Sequence, residues 1–298
     1  MKKKGQPLAG KRIGFVGKGG AGKSTVTVIL ARALRQQGYE VCILDADSTN
    51  LGLAQALGAT APIKTLLDYF GGMVFSGGSV TCPVDDPTPL KNAVISLEKL
   101  SDKYYTRSHD GITILTAGKI GDQGPGAGCD GPIAKIARDL VIRQQDDQLI
   151  TLIDFKAGFE DSARGAITSL DWAIVVIDPT IAAVELAANM RDMVEQIKSD
   201  VLPSTAHFDN PELVTLANRI FTEARIEDVF FILNNVSNPE VDLFLREKLS
   251  QRGIEPLGSI TKDSAIPMAW LKGEAIQASA NPDQAQEIVA ILESRVHL

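Results

Sequence analysis

Residues 17–25 read GKGGAGKST, directly after the apolar run Ile13, Gly14, Phe15, Val16 and directly before a helix-patterned stretch at 26–36. Gly19, Gly20, Ala21 and Gly22 are small enough for consecutive backbone N–H groups to close on an anion, and a following helix aims its positive end at the same point. Lys23 then offers a mobile cation to the outer phosphates of a nucleotide. The Ser24 hydroxyl can join a Mg²⁺ shell, and Thr25 continues the cradle. A GxxxxGK[ST] string with a strand before it and a helix after it is a specific signal for phosphate binding.

Lys18 adds a second cation at the start of the loop, where ordinary phosphate loops need none. The form KGGxGK[ST] resembles the deviant Walker A ATPases, the group that includes the nitrogenase iron protein, cell-division and plasmid-partition ATPases, the arsenite-pump ATPase and the carbon monoxide dehydrogenase maturation ATPase. The resemblance implies an α/β, three-layer P-loop NTPase fold with a mostly parallel, doubly wound central sheet. It also implies a homodimer closed around ATP and Mg²⁺, with Lys18 acting on the nucleotide of the partner subunit. A solvated loop lysine is the alternative for Lys18.

Further polar residues fall at the ends of apolar runs. Asp45 and Asp47 follow Ile43 and Leu44, and two carboxylates at the end of a buried strand need something there that uses negative charge. A Mg²⁺ ion with an attacking water is such a use, and the resemblance assigns Asp47 to the water and Asp45 to the metal shell. Asp47 and Ser48 capping a helix that opens near Asn50 is the competing reading. Asp154 ends the run Leu149, Ile150, Thr151, Leu152, Ile153, the arrangement in which an aspartate holds Mg²⁺ through water. Gly158, four residues on, is placed to offer a backbone N–H to a γ-phosphate. In the following DFKAGFEDSARG string, Arg164 either meets phosphate or a partner subunit, or pairs with Glu160 at helical spacing. Asn234 ends the apolar run Val229, Phe230, Phe231, Ile232, Leu233, where the resemblance implies a hydrogen bond to the adenine edge, although Asn235 stands where a lysine often follows.

The segment around Gly126, Ala127, Gly128, Cys129, Asp130, Gly131 and Pro132 looks most like the nickel-inserting maturation ATPases. Those carry a metal-binding CxC pair here, and this chain has CxG. One thiolate per subunit falls short of a closed zinc site or a conventional [4Fe–4S] cluster, so Cys129 is either a metal ligand or a thiol without one. Cys42 and Cys82 do not lie at the sequence position of a second cluster ligand. The resemblance implies an ATP-binding, ATP-hydrolysing switch that serves maturation or activation of a metalloenzyme or similar protein client. The alternatives are a positioning ATPase of the cell-division and partition type, and an iron-protein-like, ATP-dependent reductase component.

Composition sets the outer limits. A 298-residue chain that is 44% hydrophobic can bury a large core, and its net charge of −7 argues against a nucleic-acid-coating protein. The basic opening residues lead into Gly5, Gln6 and Pro7, not into an apolar leader, and no run is long enough to span a bilayer. A mostly acidic tail does not favour membrane attachment, and three scattered cysteines fit a reducing compartment, so a cytoplasmic protein is expected. Strands are expected at 12–16, 40–44, 112–115, 149–153, 172–177, 229–233 and 257–260. Helices are expected at 24–37, 133–144, 181–199, 239–252 and 282–296. This alternation predicts one domain over residues 1–298, interrupted at 59–110 by a Gly- and Pro-rich insertion suited to a lid or docking surface.

Overall fold

The computed structural model describes residues 6–50, 52–119, 129–144, 148–158, 162, 165–277 and 281–296. In chain order the elements are β1 (Arg12–Gly17), α1 (Lys23–Gln36), β2 (Val41–Ala46), α2 (Leu53–Ala56), α3 (Leu66–Tyr69), β3 (Val94–Ser96), β4 (Tyr105–Arg107), β5 (Thr113–Thr116), α4 (Gly131–Asp139) and β6 (Val141–Arg143). They continue with β7 (Ile150–Phe155), β8 (Trp172–Ile177), α5 (Ile181–Lys198), α6 (Pro211–Thr222), β9 (Asp228–Val236), α7 (Pro239–Ser250), β10 (Gly258–Thr261), α8 (Ala265–Lys272) and α9 (Pro282–Arg295).

Eight strands form one sheet in the order β10-β9-β8-β1-β7-β2-β5-β4, parallel throughout except for β4 against β5. The residues of β1, β2, β5, β7 and β8 are buried on both faces, which is why these strands read as continuous apolar runs. Successive side chains serve opposite layers. Ile13, Phe15 and Ile43 face the core built with α1, α2 and α9, whereas Val16, Cys42 and Leu44 face the one built with α4, α5 and α7. The result is the expected three-layer, doubly wound α/β architecture.

Register places the chemistry. Asp154 stands opposite both Phe15 of β1 and Asp45 of β2, so the loop after β1 and both carboxylates emerge together at the carboxyl edge of three adjacent strands. Strand β2 runs to Ala46, beyond the predicted end at 44, which puts Asp45 inside the strand instead of after it.

Two expectations need correction. The 59–110 segment is packed: Leu66, Met73, Val80 and Ile95 are buried in the α4-side core, Leu67 N donates to Ala117 O at 2.8 Å, and Thr65 and Asp68 form a capping box on α3. The helix predicted at 133–144 covers Gly131–Asp139 and stops. The cause is Arg12, whose buried guanidinium donates to Leu140 O at 2.5 Å and to Ala137 O, taking up carbonyls that helix continuation would have used. Leu140 turns extended and the chain enters β6, which pairs with β3. Helix α6 was not anticipated; Asn210 caps it by accepting from Glu212 N at 2.9 Å.

Because Arg12 satisfies two buried carbonyls at once, Arg12→Met is expected to destabilise the fold by about 2–4 kcal/mol. Urea denaturation should show a lower midpoint with an unchanged slope. An unchanged midpoint would mean that water or another donor replaces the guanidinium.

Candidate functional site

The loop after β1 brings its glycines to a helix that has no side-chain cap. Gly22, at φ 86°, precedes Lys23 and lends no side-chain cap to the first-turn N–H groups of α1. Those donors point out of the helix start and are supplied for an anion. Lys23 is buried beside them. Gly158 is joined to the loop, its N–H donating to Gly17 O at 2.9 Å, so a change felt at Gly158 is transmitted to the loop main chain.

Asn234 comes to the same loop from β9. Its side-chain amide donates to Ala21 O at 2.8 Å, and a Cβ at residue 22 would collide with that amide nitrogen, so residue 22 has to be glycine. Asn234 therefore braces the phosphate loop, a role the sequence did not reveal. Asn235 is exposed at φ 60°.

The acidic residues form a dry cluster. Asp154 is fully buried; its Oδ2 accepts from Ser24 Oγ at 2.6 Å, and its Oδ1 has no hydrogen-bond partner. Asp45, 4% exposed, accepts from Lys119 Nζ at 2.8 Å. Burial pushes the Asp154 carboxyl up to about 7, against the Ser24 hydrogen bond, with Asp45 raising it further. Burial likewise lifts Asp45 to about 6, partly offset by Lys119. A carboxylate oxygen without a donor, beside a hydroxyl and an anion-binding helix end, suits Mg²⁺, which keeps several waters and takes few protein ligands. Among the described residues no group of three or more His, Cys, Asp and Glu forms a self-sufficient metal cage.

Asp47 lies at the lip of this cluster and organises its own loop. Its Oδ1 accepts from Thr49 Oγ1 at 2.7 Å, Thr49 N at 2.9 Å and Asn50 N at 3.2 Å. The capping reading holds for this turn, but the helix opens later, at Leu53, and Ser48 takes no part in it. Asn50 donates to Ser24 Oγ at 2.9 Å, while Lys119 donates to Asp47 O at 2.5 Å and to Asn50 O. Thus Lys119 and Asn50, neither given a role from sequence, pin the loop to the phosphate loop. A cation just past β5 facing paired acids on the adjacent β2 was the available signal.

Lys18 donates to Asp178 Oδ2 at 3.2 Å within its own chain. Asp178, just past the end of β8, was not singled out, although a carboxylate next to the loop-bearing strand mirrors Asp154 on its other side. Cys129 is half-buried, its sulfur accepting from Gly131 N at 3.4 Å. Cys82, remote in sequence, packs directly on Gly131, where a Cβ would meet its sulfur. Asp130 receives Ser48 Oγ at 2.6 Å and pairs with Lys156. Gly126–Gly128, Leu51, Glu160 and Arg164 lie outside the described residues.

The profile of the CobQ/CobB/MinD/ParA nucleotide-binding domain matches residues 15–276 of the chain. An ATP-binding protein of unassigned role from Methanocaldococcus jannaschii is 27% identical over 283 residues, 94% of this chain and 99% of its own length. The carbon monoxide dehydrogenase accessory protein CooC of Rhodospirillum rubrum is 26% identical over 291 residues, 96% of this chain and 97% of its own. The septum site-determining protein MinD of Pyrococcus horikoshii, solved with Mg-ADP, shares the fold with a TM-score of 0.60 at 19% identity, covering 95% of each chain. The chain belongs to the CobQ/CobB/MinD/ParA nucleotide-binding family and has its P-loop NTPase fold. No helix among the described residues is long and apolar enough to cross a membrane.

Raised carboxyls give this site a pH signature. Between the ordinary carboxyl value of 3.8 and about 7 the folded chain holds protons that the unfolded chain has released, so its stability without metal falls as pH rises through that interval. In EDTA the melting temperature should be higher at pH 5.5 than at 7.5, and Asp154→Asn should remove most of the difference. Equal slopes in parent and variant would locate the titration elsewhere.

Proposed function

We propose that this member of the family is a Mg²⁺-dependent ATPase that works as a homodimeric switch for a metalloenzyme-maturation or similar protein client. The observation that carries the ATPase reading is the convergence on one strand edge of an uncapped helix start, Lys23, the Ser24–Asp154 pair and the Asp47 loop. Mg²⁺ bound there would neutralise charge developing on the phosphates. Ser24 and Asp154 would hold it, directly and through water, with Asp45 in the outer shell. The loop N–H groups and Lys23 bind and orient the phosphates, Gly158 would exchange its N–H bond to Gly17 O for one to the last of them, and Asp47 orients the water.

Lys18 supports the dimeric part. In the single chain it is held by Asp178, in a partly solvent-accessible pair of the kind that contributes little to stability. A lysine so lightly held can be given up to a phosphate brought by a second subunit. Similarity to CooC along nearly the whole chain supports a client in metalloenzyme maturation. Cys129 as a metal ligand, and Asn234 as a contact to adenine besides its bond to the loop, belong to the same proposal.

Lys23→Ala is expected to abolish nucleotide retention, and Asp47→Ala to keep binding but lose turnover and trap the closed dimer. Lys18→Ala should abolish ATP-dependent dimerisation, whereas Asp178→Asn, which frees Lys18, should lower the ATP concentration at which dimers form. Light scattering with ATP and phosphate release read these outcomes together. A Lys18→Ala chain that still dimerises and hydrolyses at the parental rate rules out action in trans, and pull-down with the Asp47→Ala chain tests for the client.

A further inference from the structure

In the segment after β10, the structure puts a side chain of α8 against the phosphate loop. Trp270 donates its indole N–H to Thr25 Oγ1 at 3.0 Å. The same ring lies on Gly52, where a Cβ would come within 2.9 Å of Cζ3 and 3.1 Å of Cε3. Gly52 has φ −104°, a conformation open to any residue, so the glycine is needed for the space the indole takes. Ile266 and Ala269 pack with Trp270 against the α1-side core, and Ile276 N donates to Ala56 O at 3.0 Å, so the 265–276 segment is fastened to α2 as well.

An indole N–H can only donate, which makes the Thr25 oxygen an acceptor on that side and leaves the hydroxyl its single hydrogen to give elsewhere. Thr25 is the third residue of α1, in the turn whose N–H groups face the anion. We propose that Trp270 is a nucleotide-positioning residue: it holds the Thr25 hydroxyl in the orientation that donates to a phosphate oxygen and wedges Gly52 against the phosphate loop. This rests on the nucleotide reading above and adds a residue outside the phosphate motifs to it.

Calorimetric titration with Mg²⁺ and either ATP or inorganic tripolyphosphate tests it. Trp270→Phe keeps a ring on Gly52 but loses the donor, and both ligands should bind about 3- to 10-fold more weakly, the worth of one neutral hydrogen bond. Thr25→Val should cost the same factor, and the double variant no more than either single one. Gly52→Ala, which leaves donor and acceptor in place but displaces the indole, should weaken binding in the same direction and serves if Trp270→Phe does not fold.

Spectroscopy gives a readout that a merely structural role would not move. The chain has two tryptophans, and Trp172 is buried at the start of β8 with its N–H on Glu227, at the opposite end of the sheet. In a Trp172→Phe background the remaining emission should shift on adding Mg²⁺ and tripolyphosphate, and the shift should vanish with Thr25→Val. Unchanged binding in Trp270→Phe, additive losses in the double variant, or a loss confined to ATP would overturn the inference, the last because it would place the indole on the base. A parental chain that binds neither ligand would instead defeat the nucleotide reading, and this one with it.

Discussion

Two carboxylates withheld from water set the terms for everything around them. Asp45 and Asp154 sit opposite each other on adjacent parallel strands, and an isolated ionised carboxylate in such a place is far less stable than one in solvent. Lys119 offsets the charge of Asp45 and the Ser24 hydroxyl serves one oxygen of Asp154, yet the other oxygen is left without a donor. A fold that keeps such a defect at the carboxyl edge of its central strands, beside an uncapped helix start, is arranged for a cation and an anion that arrive together. Phosphate alone would face the two acids, and the cation that relieves them also screens that repulsion, so each ligand favours the other.

The same arrangement explains why the loop connections are polar and dense while the strands are apolar. Asn50 reaches Ser24, Lys119 reaches Asp45 and the Asp47 and Asn50 carbonyls, and Asn234 reaches Ala21. Each bond joins a different strand end to the phosphate loop or to the loop after β2. The apolar sheet supplies the rigid registers, and these side chains convert register into position within the site.

Much of this was legible because the relevant signals are local. The glycine spacing, the lysines and the aspartates that end apolar runs each depend on a few consecutive residues, and β8 begins and ends where its Trp172–Ile177 run does. What escaped were partners brought together by the fold. Asp178, Lys119, Asp130 and Trp270 each meet the site from another element, and their roles depend on strand order and packing that no short stretch of sequence displays. The short α4 is a similar case: residues 133–144 carry a helical pattern, but a guanidinium from β1 takes the carbonyls and ends it. The 59–110 segment misled for a different reason. Its glycines and prolines suggest irregular chain, but short elements and bridges within it deliver Leu66, Met73, Val80 and Ile95 one at a time and fill the core.

One contact reaches beyond the nucleotide pocket. Asp130, next to Cys129 and at the mouth of α4, is held by Ser48 from the segment after Asp47 and by Lys156 from the segment after Asp154. Both of those segments border the phosphate site. Any repositioning of the Asp47 loop must carry Asp130 with it or break a 2.6 Å hydrogen bond, and movement of the chain between Asp154 and Gly158 meets the same choice at the ion pair. Cys82 in turn lies on Gly131, so the packed 59–110 segment meets this point from outside the sheet. The half-buried thiol and the α4-side surface are therefore mechanically continuous with the two segments that border the phosphate loop. That is a physical connection that can bias a two-state element, whichever surface of the chain a client recognises.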